Sequence, residues 1–159
     1  MTLKEAMKSI KPASQALRQQ AKQRWDQVAK PLGSLGVLEE DIIRIAAASG
    51  SLAVSLRPRA IVVMCGDNGV VKEGVTQTGQ EVTAIVAGNM ARGNSCVCLM
   101  ARQVGADVIP VDVGMACRDA VPGVVNRKVA YGTKDFLEEP AMTREETVKA
   151  MEAGADMAG

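Results

Sequence analysis

Histidine is absent from this 159-residue sequence. With it go histidine-based triads, imidazole general bases and imidazole metal ligands. Aromatic residues are nearly as scarce: Trp25, Tyr131 and Phe136 are all there are. A core without rings is built from Ala, Val, Ile, Leu and the nine Met, side chains that suit helices packed on a parallel sheet. No basic run interleaves with stacking rings, so no nucleic acid is expected as a partner. No apolar run approaches the ~20 residues that cross a bilayer, and no cleavable apolar segment opens the chain; the expectation is a cytoplasmic protein with no membrane partner. The phosphate fingerprint G-x-G-x-x-G is also missing, which removes support for conventional dinucleotide binding.

Four cysteines are present, Cys65, Cys96, Cys98 and Cys117, in or beside apolar stretches and without a C-x-x-C pair. They read as reduced, mostly buried thiols. A zinc or redox site on Cys96-x-Cys98 is the weaker alternative. Net charge is +1 and says nothing about a partner, but its distribution is uneven. Residues 1–30 carry seven Lys/Arg against Glu5 and Asp26, whereas residues 135–159 carry seven carboxylates against Arg144 and Lys149. The two ends are either mutually attractive or simply two solvated helix faces.

Along the chain, Thr2 and Glu5 form a capping box for a short helix stopped near Lys11-Pro12. Leu17, Ala21, Trp25 and Val28 then mark one apolar stripe on a helix from Ser14 to Lys30. After the turn Lys30–Gly36, with Ser34 as the expected cap, Leu35, Leu38, Ile42 and Ile45 line a helix ending at Gly50. The period changes after Arg57-Pro58. Ala60–Cys65 is a continuous apolar run that reads as a parallel strand covered on both faces. A polar loop through Gly79 leads to a helix with Val82, Ile85, Val86 and Met90 inward, stopped at Gly93. Asn94 then caps a helix with Val97, Met100 and Val104 inward, and a second strand runs Asp107–Val113. Strand, helices, strand is the crossover unit of an open parallel sheet. Arg127–Tyr131 is the candidate third strand, and Thr143 with Glu146 opens a last helix reaching Gly159. The predicted fold is therefore α/β: a Rossmann-like open parallel sheet over residues 57–159, preceded by an amino-terminal helical segment, 1–56, of a smaller domain. Two or three strands make a thin sheet, so the sheet is expected to be incomplete.

Ligands of open parallel sheets bind beyond the carboxyl ends of the strands, which places Gly66-Asp67-Asn68-Gly69 first among candidate sites. Its glycines admit a phosphate or sugar close to the backbone, and Asp67 accepts from hydroxyls; equally, Asp-Asn-Gly is ordinary turn chemistry. Lys30 beside a helix start either helps hold an anion or belongs to a capped turn, the simpler reading. Thr76, Gln77 and Thr78 either line a pocket or cap a helix. Glu73, Glu81, Asp112 and Asp119 are available acids, none with a second carboxylate at a helical spacing to raise its pKa.

These segments carry a resemblance. Lys30-Pro31-Leu32-Gly33-Ser34-Leu35-Gly36, Gly66-Asp67-Asn68-Gly69-Val70, Glu73-Gly74-Val75, Val82-Thr83-Ala84-Ile85, Asn89-Met90-x-Arg92-Gly93, Val111-Asp112-Val113-Gly114 and Pro122-Gly123-Val124-Val125 occur in this order. The sequence resembles the first half of the nicotinate-nucleotide:dimethylbenzimidazole phosphoribosyltransferase family, collinearly over its whole length. The resemblance implies transfer of phosphoribose from nicotinate mononucleotide to 5,6-dimethylbenzimidazole or a related base, giving α-ribazole 5′-phosphate in cobalamin biosynthesis, with no metal and no cofactor. It places the family's general-base glutamate beyond Gly159, so no catalytic residue is assigned here and the chain alone is expected to be inactive. Substrate-binding positions implied are Asp67, Asn68, Gly69, Thr78 (usually serine), Val86 (a glutamine in well-known members) and Asn89. Asn68 stands where the family tends to have histidine, so a titrating role is gone from that position. Expected partners are the two small-molecule substrates and either a second copy, as the family's homodimers imply, or a complementing carboxyl-terminal chain. The alternative is a non-catalytic base-binding module.

Overall fold

The computed structural model describes residues 2–158. Its elements run α1 (Leu3–Ser9), α2 (Gln15–Asp26), α3 (Val37–Ser49), β1 (Ala60–Gly66), a 3₁₀ turn (Gly69–Glu73), α4 (Glu81–Ala91), α5 (Cys96–Val104), β2 (Asp107–Gly114), β3 (Val125–Asn126) and α6 (Arg144–Ala158). They group into two compact units, residues 9–57 and residues 2–8 with 58–158. Residues 2–8 lie in the sheet unit, where the Leu3 amide donates to Glu152 at 2.9 Å.

In the helical unit, Ser14 caps α2 by accepting from the Leu17 amide at 3.3 Å. The helix stops at Asp26, not Lys30, because Val28 and Lys30 bond back to Trp25 and Val28 in tight turns. Val28 therefore leaves the stripe and is exposed. On α3 the expected face is also wrong: Leu35 and Leu38 are exposed, while Ile43, Ala46 and Ala47 are buried. Ala46 and Ile43 pack on Ala21, flanked by Trp25, Leu52 and Val54. Small residues let two helices approach, a property of volume that hydrophobic periodicity does not weigh. Ser34 does not cap α3; the N-cap is Gly36, at φ 56°, a left-handed backbone that glycine adopts freely. Lys30 pairs with Glu39 at 2.7 Å, both side chains largely buried, with the ammonium 5.4 Å from the Trp25 ring centroid. Glu39 also accepts from the Leu35 amide at 3.0 Å, so the turn is wrapped around this ion pair.

In the sheet unit, β1 and β2 run parallel from Ala60 opposite Asp107 to Cys65 opposite Asp112, and β3 joins the far side of β2, giving the order β1-β2-β3. The sheet is open and flanked by helices. The third strand is Val125–Asn126, not Arg127–Tyr131. That later segment still follows β2, the Arg127 and Val129 amides donating to Asp112 and Val113 carbonyls at 2.8 and 3.0 Å, but too irregularly for a ladder. β1 is not covered on both faces. Val63 and Cys65 join a core with Ala87, Met90, Cys98 and Met115, whereas Val62 and Met64 on the opposite face are 38% and 40% exposed.

The crossover helices keep part of the expected inward set, Met90 on α4 and Val97 on α5, and turn most of the rest of it outward. α4 buries Ala87, Gly88 and Met90 and leaves Ile85 and Val86 exposed. α5 is capped by Ser95, whose hydroxyl accepts from the Cys98 amide, rather than by Asn94. It buries Cys98 and Ala101, half-buries Val97 and exposes Met100 and Val104. Of the thiols expected to be mostly buried, Cys65 and Cys98 are, Cys117 is half-buried and Cys96 is exposed. The capping boxes form as expected: Thr2 and Glu5 bond each other's amides, as do Thr143 and Glu146. The expected end of the last helix at Gly159 lies outside the described residues.

Ala87 is fully buried beneath the sheet. Ala87→Leu is expected to lower unfolding stability by about 1–3 kcal/mol through overpacking, measurable by urea denaturation followed by circular dichroism.

Candidate functional site

β1 and β2 end beside each other at Gly66 and Gly114, and the chain beyond them is organised by Asp67. Every polar atom of this buried residue is bonded. Oδ1 accepts from the Thr83 hydroxyl at 2.5 Å and Oδ2 from the Ala116 amide at 2.7 Å. Its own amide donates to the Gly114 carbonyl at 3.0 Å, and its carbonyl accepts from the Thr133 amide at 2.9 Å. The carboxylate is thus committed inside the protein rather than free for a ligand hydroxyl.

A cleft of ≈ 260 Å³ opens at these strand ends, walled by Met64, Val113, Val129 and Met142, with Asn68, Thr133 and Glu146 as polar lining. Asn68 is exposed, and its carbonyl is fixed by the Gln80 side-chain amide at 3.1 Å and the Val71 amide at 3.2 Å. Gly69 donates its amide to the Thr133 hydroxyl oxygen at 3.1 Å, so this N–H too is engaged. A Cβ at Gly69 would lie 2.5 Å from Thr133 O and Lys134 C and 2.7 Å from Asp135 N, so this glycine admits neighbouring backbone. Glu146 accepts from the Thr143 amide at 2.7 Å, and its bonding to Thr143 holds its carboxyl below the ordinary glutamate value.

Of the residues singled out in the sequence, Asp67 and Asn68 line this cleft and Gly69 follows them. Thr78, Val86 and Asn89 do not line it. Thr78 is exposed ahead of α4, its carbonyl accepting from the Thr76 hydroxyl at 2.7 Å. Val86 is exposed on α4, and Asn89 Oδ1 accepts from Arg92 at 2.6 Å. Thr133 and Glu146, which line the cleft, were not anticipated as site residues; the only sequence hint was the Gly132-Thr133 pair after an expected strand.

Asp135 also changes the reading of Glu73. It is buried, accepts from the Leu137 amide at 3.0 Å and lies 3.4 Å from the Lys72 ammonium, which bonds Glu138 at 2.7 Å. The Leu137 amide holds Asp135 below the ordinary aspartate value, and Asp135 in turn pushes Glu73 upward, since two facing carboxylates share a proton more readily than both ionise. Its partner came from 62 positions away rather than from a helical spacing. Among the described residues no group of three or more His, Cys, Asp or Glu is placed to hold a metal ion. The cleft therefore offers apolar walls, one free amide and fixed hydrogen-bonding groups, a setting for a flat, weakly polar ring.

A phosphoribosyltransferase family model, DBI_PRT, matches residues 10–159. The sequence is 43% identical over 159 residues to the nicotinate-nucleotide–dimethylbenzimidazole phosphoribosyltransferase of Ruminiclostridium cellulolyticum, covering all of this chain and 45% of that protein. It is 44% identical over 157 residues to the enzyme of the same name from Geobacter metallireducens, covering 98% and 44%. A crystal structure of the Thermus thermophilus enzyme of that name superposes with a TM-score of 0.81 at 39% identity, covering 89% of this chain and 43% of the other. The chain spans under half the length of these relatives.

Gly69→Ala is expected to cost about 1–3 kcal/mol by forcing the two backbones apart, read from urea denaturation. Glu73, with its raised value, contributes stability below the ordinary glutamate range that is lost as pH rises through the raised value; Asp135 contributes above the ordinary aspartate range and loses it as pH falls through its lowered one. Glu73→Gln keeps the neutral form at every pH. Its melting temperature is expected to exceed that of the native sequence at pH 7, the difference closing as pH falls toward about 4.3, as thermal melts across pH will show.

Proposed function

Since the chain belongs to the DBI_PRT phosphoribosyltransferase family, we propose that it supplies the first half of a cytoplasmic enzyme of cobalamin biosynthesis. The reaction moves phosphoribose from nicotinate mononucleotide to 5,6-dimethylbenzimidazole or a related base, giving α-ribazole 5′-phosphate. The observation that carries this reading is the match over residues 10–159 together with a cleft at the ends of parallel strands, where such sheets hold ligands. In this reading Asn68 hydrogen-bonds the bound ring and the apolar walls of the cleft enclose it. Binding two reactants in fixed geometry is the chain's contribution to rate.

The group that takes the azole proton belongs to the remaining length of the enzyme. Asp67 has both oxygens engaged and Glu146 is tied to Thr143, so neither stands ready as a general base. The same remaining polypeptide is the partner we propose for the uncovered apolar side of β1, where Val62 and Met64 lie open, completing a Rossmann-like sheet. A homodimer is the second assembly this family membership supports.

A non-catalytic base-binding module is the other reading, favoured by one observation: among the described residues the cleft presents no free nucleophile. The discriminating measurement is nicotinate release from nicotinate mononucleotide plus 5,6-dimethylbenzimidazole. The chain alone is expected to give none, and turnover is expected once the missing length of a relative is supplied as a second polypeptide. Turnover by the chain alone would overturn this division of labour, and calorimetric binding of the base without turnover in the complemented pair would favour the module.

A further inference from the structure

Thr133 brackets Asn68. Its amide donates to the Asp67 carbonyl at 2.9 Å on one side, and its hydroxyl oxygen accepts from the Gly69 amide at 3.1 Å on the other. The residues before and after Asn68 are thus both bonded to one side chain and one peptide 64 positions away from Gly69. The backbone approach at Gly69, too close for a Cβ, holds the two segments in van der Waals contact. The Asn68 carbonyl is fixed separately by Gln80 and Val71. What remains unengaged is the Asn68 side chain, exposed at the cleft that Thr133 also lines.

We propose that Thr133 is a positioning residue, acting through the Gly69 amide to hold the Asn68 carboxamide at one place in the cleft. The clamp itself stands on geometry; its effect on a bound base rests on the reading given under Proposed function. An amide has two donors and one acceptor on a short stem, so its selectivity for a ring depends on where the backbone holds it. A threonine suits this task because its peptide N–H donates while its hydroxyl oxygen accepts, so one residue serves both groups.

The test uses the chain as it is, labelled with nitrogen-15, with Thr133→Val, Thr133→Ser and Asn68→Ala. Valine keeps the shape and loses the acceptor, whereas serine keeps the acceptor. Exchange of the Gly69 amide is expected to speed up roughly three- to tenfold in Thr133→Val and to return close to native in Thr133→Ser, with melting temperatures similar throughout. Titration with 5,6-dimethylbenzimidazole is expected to show weaker affinity in Thr133→Val, recovery in Thr133→Ser, and no added loss when Thr133→Val is combined with Asn68→Ala. Unchanged Gly69 exchange in Thr133→Val would overturn the clamp. Faster exchange with native affinity, while Asn68→Ala binds weakly, would overturn the positioning role and leave the base-binding reading intact. If Asn68→Ala binds the base as the native chain does, the role given to Asn68 in that reading falls, and with it the positioning role.

Discussion

Asp67 is the constraint from which the sheet unit's working end follows. A carboxylate removed from water is costly unless each oxygen finds a donor, and charge-assisted hydrogen bonds are the strong ones. Here the donors come from α4 and from the loop after β2, while the same residue's peptide groups bind the end of β2 and the segment at Thr133. Four pieces of chain are thereby fixed relative to one point. The neighbouring strand repeats the device: Asp112, opposite Cys65, takes the Met115 amide at 2.9 Å and the Lys128 ammonium at 2.9 Å. Lys128 continues to the Cys117 carbonyl at 3.0 Å. β1 and β2 thus each end near a buried acid whose role is to shape the loop that follows.

Packing against this frame is governed by small residues. α4 and α5 bring Ala87, Gly88 and Ala101 to the interior, and α3 brings Ala46 and Ala47 toward α2. Short side chains let helix backbones lie close, which compensates for a core almost without rings. Several larger aliphatic side chains of α4 and α5 are left outward: Ile85, Val86, Leu99 and Met100 are all exposed. In the sheet unit this leaves an outer surface rich in large apolar groups.

What could be read from the sequence was what is encoded locally. The capping boxes at Thr2 and Thr143 and the two apolar strands rest on residues within a few positions of each other, and the structure has them all. Helix faces were misread for a physical reason: α4 is apolar nearly all round, so its period does not choose a side, and the choice falls to volume. The strand-end rule led directly to Asp67 and Asn68. It could not supply Thr133 or Glu146, which line the same cleft from more than sixty positions away. For Asp67 the sequence conveyed location but not employment, since its partners Thr83 and Ala116 are not adjacent in the chain.

The distribution of the three rings has a practical corollary in optics. Trp25 lies in the unit formed by residues 9–57, half-buried, with the Lys30 ammonium above it, while Tyr131 and Phe136 belong to the other unit. Emission excited at the red edge of the indole band therefore reports on the helical unit alone, and any change there records its melting or the movement of one cation over the ring. Far-ultraviolet ellipticity sums both units. A gap between the two signals during unfolding would separate the two bodies without any label.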